Sequence, residues 1–257
     1  MKEKLLDKQI EELLKPYPKL VDAYRWLANN EEIEALHEMT NLVLVTRLKY
    51  NDHGKVHARL TVLNALKILL TLGHATIPKE GWGTLEDSLF VVMVASFLHD
   101  IGNAINRSGH EYLSIILAKK FVEALTSKLY PPQKAKMLEA MIYECILCHM
   151  GRYEPTSIEA GIVATADGCD MEEGRARIPI RLGRKPDIHA YSALSIKKVE
   201  IKKGKKKPVR IEVLMKDYTG VFQIQAILLK KVEGTDFKDY VEIVAKVEES
   251  GEELEFS

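Results

Sequence analysis

This sequence predicts a mainly helical fold followed by a small α+β appendage with an antiparallel sheet, and three observations predict it. Apolar residues recur at helical spacing from Lys4 to Asp167, with no alternating stretch among them. After Gly174 the chain becomes basic and is punctuated by Pro and Gly, from Arg175 to Pro186. Beyond that connector, Ser195 to Lys202 and Val209 to Lys216 alternate apolar and polar residues, as strands do. The boundary falls near residue 185, giving a helical domain over 1–185 and an α+β domain over 186–257.

From Lys4 to Leu48 the pattern is helical, interrupted at Pro16 and Pro18. Asn51-Asp52-His53-Gly54 is a turn. A helix then runs from about Lys55 to Leu72, apolar around most of its surface, which places it at the centre of the fold. Gly73 to Gly83 is a loop. Thr84 caps the next helix, which carries the apolar run Leu89 to Leu98 and stops near Gly102. Ser108 with Glu111 reads as a capping box for a helix ending before Pro131-Pro132. Another helix covers Gln133 to His149, and Thr156 with Glu159 reads as a second box opening a helix through Asp167. In the appendage, Lys203 to Pro208 is a charged hairpin tip and Val221 to Lys230 reads as a third strand. The segment from Thr235 fits helix or strand and is read as a short helix followed by a strand.

At 257 residues and 46% hydrophobic, the chain can bury a full core. Its 37 basic residues balance its 37 acidic ones, so no global field argues for nucleic acid. The lysine-rich tip is the local exception. It lacks the interleaved aromatics of a base-stacking surface and reads as edge protection, leaving RNA as a partner not favoured. Three cysteines cannot build a disulfide framework, which points to a reducing compartment. Met1 to Pro18 has no apolar core of a signal peptide. The longest apolar run, Leu89 to Leu98, is too short to span a bilayer. A cytoplasmic protein with no membrane association is expected.

The chemistry lies in histidines at helix ends. His57 stands in the first turn of the central helix, His99-Asp100 closes the apolar helix, and His110 opens the next. His149 ends a fourth helix and Asp167 lies inside a fifth. Side chains at helix ends can converge without disturbing helix packing, and imidazole with carboxylate suits Mn, Fe, Ni, Co or Zn. A lone helical histidine is more often structural than a ligand, and His37 and His74 are read so; His53 is left open. The pair His99-Asp100 resists that reading. It follows ten uncharged residues, so its carboxylate ends near the interior and needs a partner or a metal. Asp167 shares the core-facing stripe of its helix with Ala160, Val163 and Ala164.

His57, the doublet within Leu98-His99-Asp100-Ile101-Gly102, and the distant Asp167 resemble the HD-domain superfamily of metal-dependent phosphohydrolases. The resemblance covers roughly residues 50 to 170 and implies an HD-type helical bundle. It implies one metal held by His57, His99, Asp100 and Asp167. His110 and His149 stand where a two-metal subset carries two further ligands, with Asp100 as the bridge. Two divalent transition-metal ions are therefore expected, sharing a water whose pKa they lower. Asp100 and His99 are the catalytic candidates. Thr61 and Asn64, on the His57 face, are candidates to support the ligands from behind or to be plain polar positions.

Two departures from the family limit the analogy. Many relatives carry Lys after the Ile-Gly of the doublet, where it can contact phosphate; here Asn103 stands there and becomes the substrate-binding candidate. The Gly-Tyr-Pro signature of the cyclic-di-GMP phosphodiesterases is absent, since Gly151-Arg152-Tyr153-Glu154-Pro155 does not match it. Cys145-Ile146-Leu147-Cys148-His149 matches the short haem-attachment pattern, but it lies in an amphipathic helix of a chain without an export signal. Arg175 and Arg177 in the connector are further candidates to bind substrate phosphates bidentately. His189 is given no role. The expected activity is metal-dependent hydrolysis of a nucleotide or related small phosphate ester. A non-catalytic nucleotide-sensing module and a metal-dependent ribonuclease are the rival readings. The appendage is expected to supply no metal ligand and to serve homo-oligomer assembly or shape the substrate entrance.

Overall fold

Proline has no amide hydrogen for an interior helical turn, and Pro16 and Pro18 divide the N-terminal run accordingly. In the computed structural model, which describes residues 2–172 and 188–256, the two pieces are α1 (Lys2–Leu14) and α2 (Pro18–Ala28). Asn30 caps α3 (Glu31–Asn41) by accepting the Glu32 and Ile33 amides. The helix then widens into π-turns over Leu42–Arg47. The central helix α4 (Lys55–Leu72) ends at Gly73, whose φ of 77° is the left-handed exit that glycine adopts without strain. A single turn, α5 (Thr76–Lys79), leads to α6 (Leu85–Leu98), opened by the Thr84–Asp87 capping box. Next come a 3₁₀ turn (Ile101–Ala104), α7 (His110–Leu129), α8 (Pro132–Cys148) and α9 (Ile158–Gly168). α4 packs against α1, α6 and α9 at the middle of the bundle. The stretch Lys55–Lys79 is long and apolar enough to cross a membrane by composition alone, yet it is mostly buried within this core.

Two expected capping boxes are absent. The residue before α7 is Gly109, and the Ser108 side chain caps nothing. Glu111 is instead buried and accepts from Arg152 at 3.1 Å. At α9 the cap is Ser157, which accepts the Ala160 amide at 3.2 Å. Glu159 turns inward, where it accepts the amides of Thr76 and Ile77 and the hydroxyl of Ser88. A buried carboxylate is worth more to two orphan amides across the core than to its own helix end.

The appendage is built from α10 (Ile188–Ser195), β1 (Ile196–Lys203), β2 (Val209–Met215), a helical segment over 220–233, a 3₁₀ turn (Asp236–Tyr240), β3 (Val241–Val247) and β4 (Glu253–Phe256). The strands lie in the order β1-β2-β3-β4. The outer pairs are antiparallel, but β2 and β3 are parallel, in register Val209 to Val241 through Met215 to Val247. The sheet is therefore mixed, not antiparallel, and 221–230 is helical, not a third strand. The two corrections have one cause, since parallel neighbours need a crossover and helix 220–233 is that crossover. Its buried residues Gln223, Ile224, Leu228 and Val232 keep helical spacing. Gly161 and Gly168 clear the α9 surface for this region: a methyl group on Gly161 would meet Phe237 at 2.7 Å, and one on Gly168 would meet Leu228 at 3.2 Å. Buried side chains of bundle and appendage form one continuous core. Cys145, Cys148 and Cys169 are free thiols within it.

Candidate metal centre

Five helix ends meet at one place. α4 brings His57 in its first turn, α6 ends on His99-Asp100, α7 begins with His110, α8 ends on His149, and α9 presents Asp167 in its last turn. All four imidazoles are buried, and Asp100 and Asp167 are nearly so.

The tautomers follow from what each Nδ1 meets. His99 Nδ1 lies 2.8 Å from the Ser96 carbonyl, His110 Nδ1 2.9 Å from that of Arg107, and His149 Nδ1 2.6 Å from that of Ile146. A carbonyl only accepts, so each Nδ1 carries a proton, and in the neutral ring Nε2 then holds a lone pair. His57 Nδ1 donates to Asp170 Oδ2 at 2.5 Å and is fixed the same way. Burial pushes the His149 pKa down to about 4, so its ring is neutral near pH 7. Yet His57 and His99 face each other Nε2 to Nε2 at 3.1 Å, and so do His110 and His149. Two lone pairs at that distance repel unless a cation lies between them.

The carboxylates complete the pattern. Asp100 Oδ2 is 3.4 Å from Nε2 of both His57 and His99, and Asp167 Oδ1 is 3.2 Å from His57 Nε2. The other oxygen, Asp100 Oδ1, is 3.2 Å from His110 Nε2 and 3.6 Å from His149 Nε2. Metal–nitrogen bonds of about 2.0–2.1 Å place neighbouring ligand atoms about 2.9–3.4 Å apart. Most of these contacts match that spacing, and Asp100 offers one oxygen to each group. The donor set fits divalent first-row metals.

Charge is arranged around the same residues. Burial alone raises the Asp100 carboxyl pKa, but the surrounding imidazoles, His99 foremost, hold it well below the usual carboxylate range. Burial acts likewise on Asp167, where the Lys231 ammonium and then His57 hold the pKa far down. Lys231, from the appendage, pairs with Asp167 Oδ2. Arg107 Nη1 lies 3.3 Å from His110 Nε2 and 3.3 Å from Asn103 Oδ1. A cavity of about 160 Å³ opens onto the cluster, lined by Asp100, Asp167, Arg107 and His53 and, from the appendage, Gln223 and Lys231 among others.

All six expected ligands thus stand together. Asn103 does not line the cavity: it is fully buried, and its amide donates to the Asp100 backbone carbonyl at 3.0 Å and to Asp100 Oδ1 at 2.9 Å. It orients the doublet carboxylate instead. Arg175 and Arg177 lie outside the described residues, as does the side chain of His189. Thr61 donates back to the His57 carbonyl, whereas Asn64 reaches the Ala166 carbonyl and steadies α9 beside Asp167. His37 is a core residue 3.1 Å from the Phe97 carbonyl, and His74 meets Tyr240 edge to face. Sequence reasoning missed Asp170, Arg107 and Lys231. Asp170 follows Asp167 by three, a helical spacing that brings both to one end; Lys231 has no local signal.

The family model of the HD domain matches residues 56–172, the stretch that carries all six ligands and Asp170. The uncharacterized protein MJ1020 of Methanocaldococcus jannaschii is 40% identical over 248 residues, covering 94% of this chain and 95% of that one. The similarity therefore spans bundle and appendage alike. No solved structure matches the chain.

Proposed function

We propose that this chain, which belongs to the HD-domain superfamily, is a metal-dependent phosphohydrolase acting on a nucleotide or related phosphate ester. One observation carries the reading: two pairs of buried imidazole Nε2 atoms, each 3.1 Å apart, face the two oxygens of a single buried carboxylate. Divalent ions held by these residues would supply Lewis acidity and would lower the pKa of a bound water.

The chain's own part is orientation. His57, His99 and Asp167 with Asp100 Oδ2 form one ligand group; His110 and His149 with Asp100 Oδ1 form the other. Carbonyls behind three rings and Asp170 behind the fourth hold each Nε2 on its target. Asn103 stops Asp100 from rotating, so the bridge is set before any ligand arrives. Burial lowers the local dielectric and strengthens each charge interaction with a bound phosphate.

The test is elemental analysis of the purified protein, followed by phosphomonoesters and phosphodiesters assayed with Mn, Fe, Ni, Co and Zn. Two metals per chain and metal-dependent release of phosphate or nucleotide are expected. Asp100→Ala should lose both metal and turnover while keeping its helix content. Wild-type turnover and metal content in that variant would overturn the reading.

A further inference from the structure

Lys231 stands 64 residues beyond Asp167 in sequence and reaches it only because helix 220–233 packs on α9. The contact is on the far side of the carboxylate. Oδ1 of Asp167 faces the imidazoles, and Oδ2 takes the ammonium. An ammonium has three donors, so Asp167 does not exhaust it. Its side chain is only 12% exposed and lines the cavity over the cluster.

Arg107 occupies the corresponding place at the other ligand group. Its Nη1 now points at the His110 Nε2 lone pair, the electron pair a metal would take. Arg107 also lines the cavity, so its guanidinium stands within reach of a ligand there. Each ligand group therefore has one cation beside it, on two sides of one cavity. The position after Ile101-Gly102, where many relatives place a lysine for phosphate, is closed here: Asn103 is buried and spent on Asp100.

The cavity also limits what enters. Its volume of about 160 Å³ is well below the roughly 300–1,000 Å³ of sites that enclose a whole small ligand. A volume of that size suits one phosphoryl group with its oxygens beside the metal ligands. A terminal phosphoryl group has three free oxygens to share among metals and two cations, whereas a diester has two.

We propose that Lys231 and Arg107 form a two-cation clamp for a terminal phosphoryl group, making this a phosphomonoester site in which the appendage supplies half of the anion grip. This rests on the phosphohydrolase reading above. The probe is inorganic phosphate, titrated into metal-loaded wild-type protein, Lys231→Met, Lys231→Arg and Arg107→Met, with metal content measured in each. Loss of one charge-assisted contact should weaken phosphate binding about tenfold to a hundredfold in both Met variants. Metal content should stay at the wild-type value, and Lys231→Arg should recover most of the affinity. Phosphate affinity within twofold of wild type in the Met variants, with metal retained, overturns the clamp and leaves Lys231 as a counter-ion of Asp167. A wild-type protein that takes up no metal overturns the phosphohydrolase reading instead, so the two failures are distinct.

Discussion

Gly102→Ala separates the two halves of the centre. Gly102 follows the His99-Asp100 doublet and lies against the first turns of α7. A methyl group there would sit 2.2 Å from the His110 carbonyl oxygen, 2.4 Å from the Ser114 nitrogen and 2.8 Å from the Leu113 carbonyl carbon. All three are backbone atoms, so no side chain can swing aside. Real Cβ atoms do not approach closer than 3.0 Å, so the doublet turn and α7 must part by about 0.8 Å. His110 is the first residue of α7 and moves with it. Metal–ligand distances tolerate only about 0.2 Å of error. The group of His110, His149 and Asp100 Oδ1 should therefore lose its ion. His57, His99 and Asp167 come from α4, α6 and α9, which pack chiefly on one another and meet α7 only lightly. The overpacking itself should cost about 1–3 kcal/mol of stability, lowering Tm by roughly 2–10 °C for a chain of this size. The assay is elemental analysis at metal saturation, with calorimetric titration of Mn and a thermal melt. One retained ion, falling from two, and a lower Tm are expected. Two ions bound at wild-type affinity would refute the reasoning from packing to metal site.

Three further outcomes follow from named contacts. Asp170→Asn removes the negative charge behind His57 Nδ1 and should weaken the ion bound by His57 about 10–100-fold, read by chelator competition; an unchanged affinity would show that Asp170 does not set that ligand. Burial drives the His37 pKa from 6.5 down to about 3, so folding favours its neutral ring. Because the folded value is depressed, this stabilisation is complete above about pH 6.5 and is lost as the pH falls from there toward 3. At pH 5 the loss is about 2 kcal/mol relative to pH 7, so urea unfolding of wild type should drop by that much more than unfolding of His37→Asn between those two pH values; equal drops would contradict the assignment. Glu159→Ala strands the amides of Thr76 and Ile77 and should cost about 2–5 kcal/mol in urea unfolding with metal content unchanged; a loss below about 1 kcal/mol would mean water replaces the carboxylate.

The sequence by itself determined the helices of the bundle, and the family resemblance it carries pointed to the six residues that the fold brings together. Helical periodicity is local, and the bounds of α4 and the Thr84 cap of α6 were readable within a turn or two. His99-Asp100 was legible because ten uncharged residues carry it into the interior, where a carboxylate without a partner is untenable. Thr156 with Glu159 and Ser108 with Glu111 had the same local form as working caps but failed, because Glu159 found partners across the core and Glu111 is buried and paired with Arg152. Residues 221–230 are apolar and partly β-branched, so isolated they fit a strand. Only the parallel pairing of β2 with β3, which demands a crossover, and the bare α9 surface at Gly161 and Gly168 make them helical. The same long-range packing placed Lys231 on Asp167, 64 residues away, and showed that Asn103 braces Asp100. Local sequence sets which side chains a helix end offers; tertiary packing decides which distant charge meets them, because that distance is set by the packed core and not by the chain.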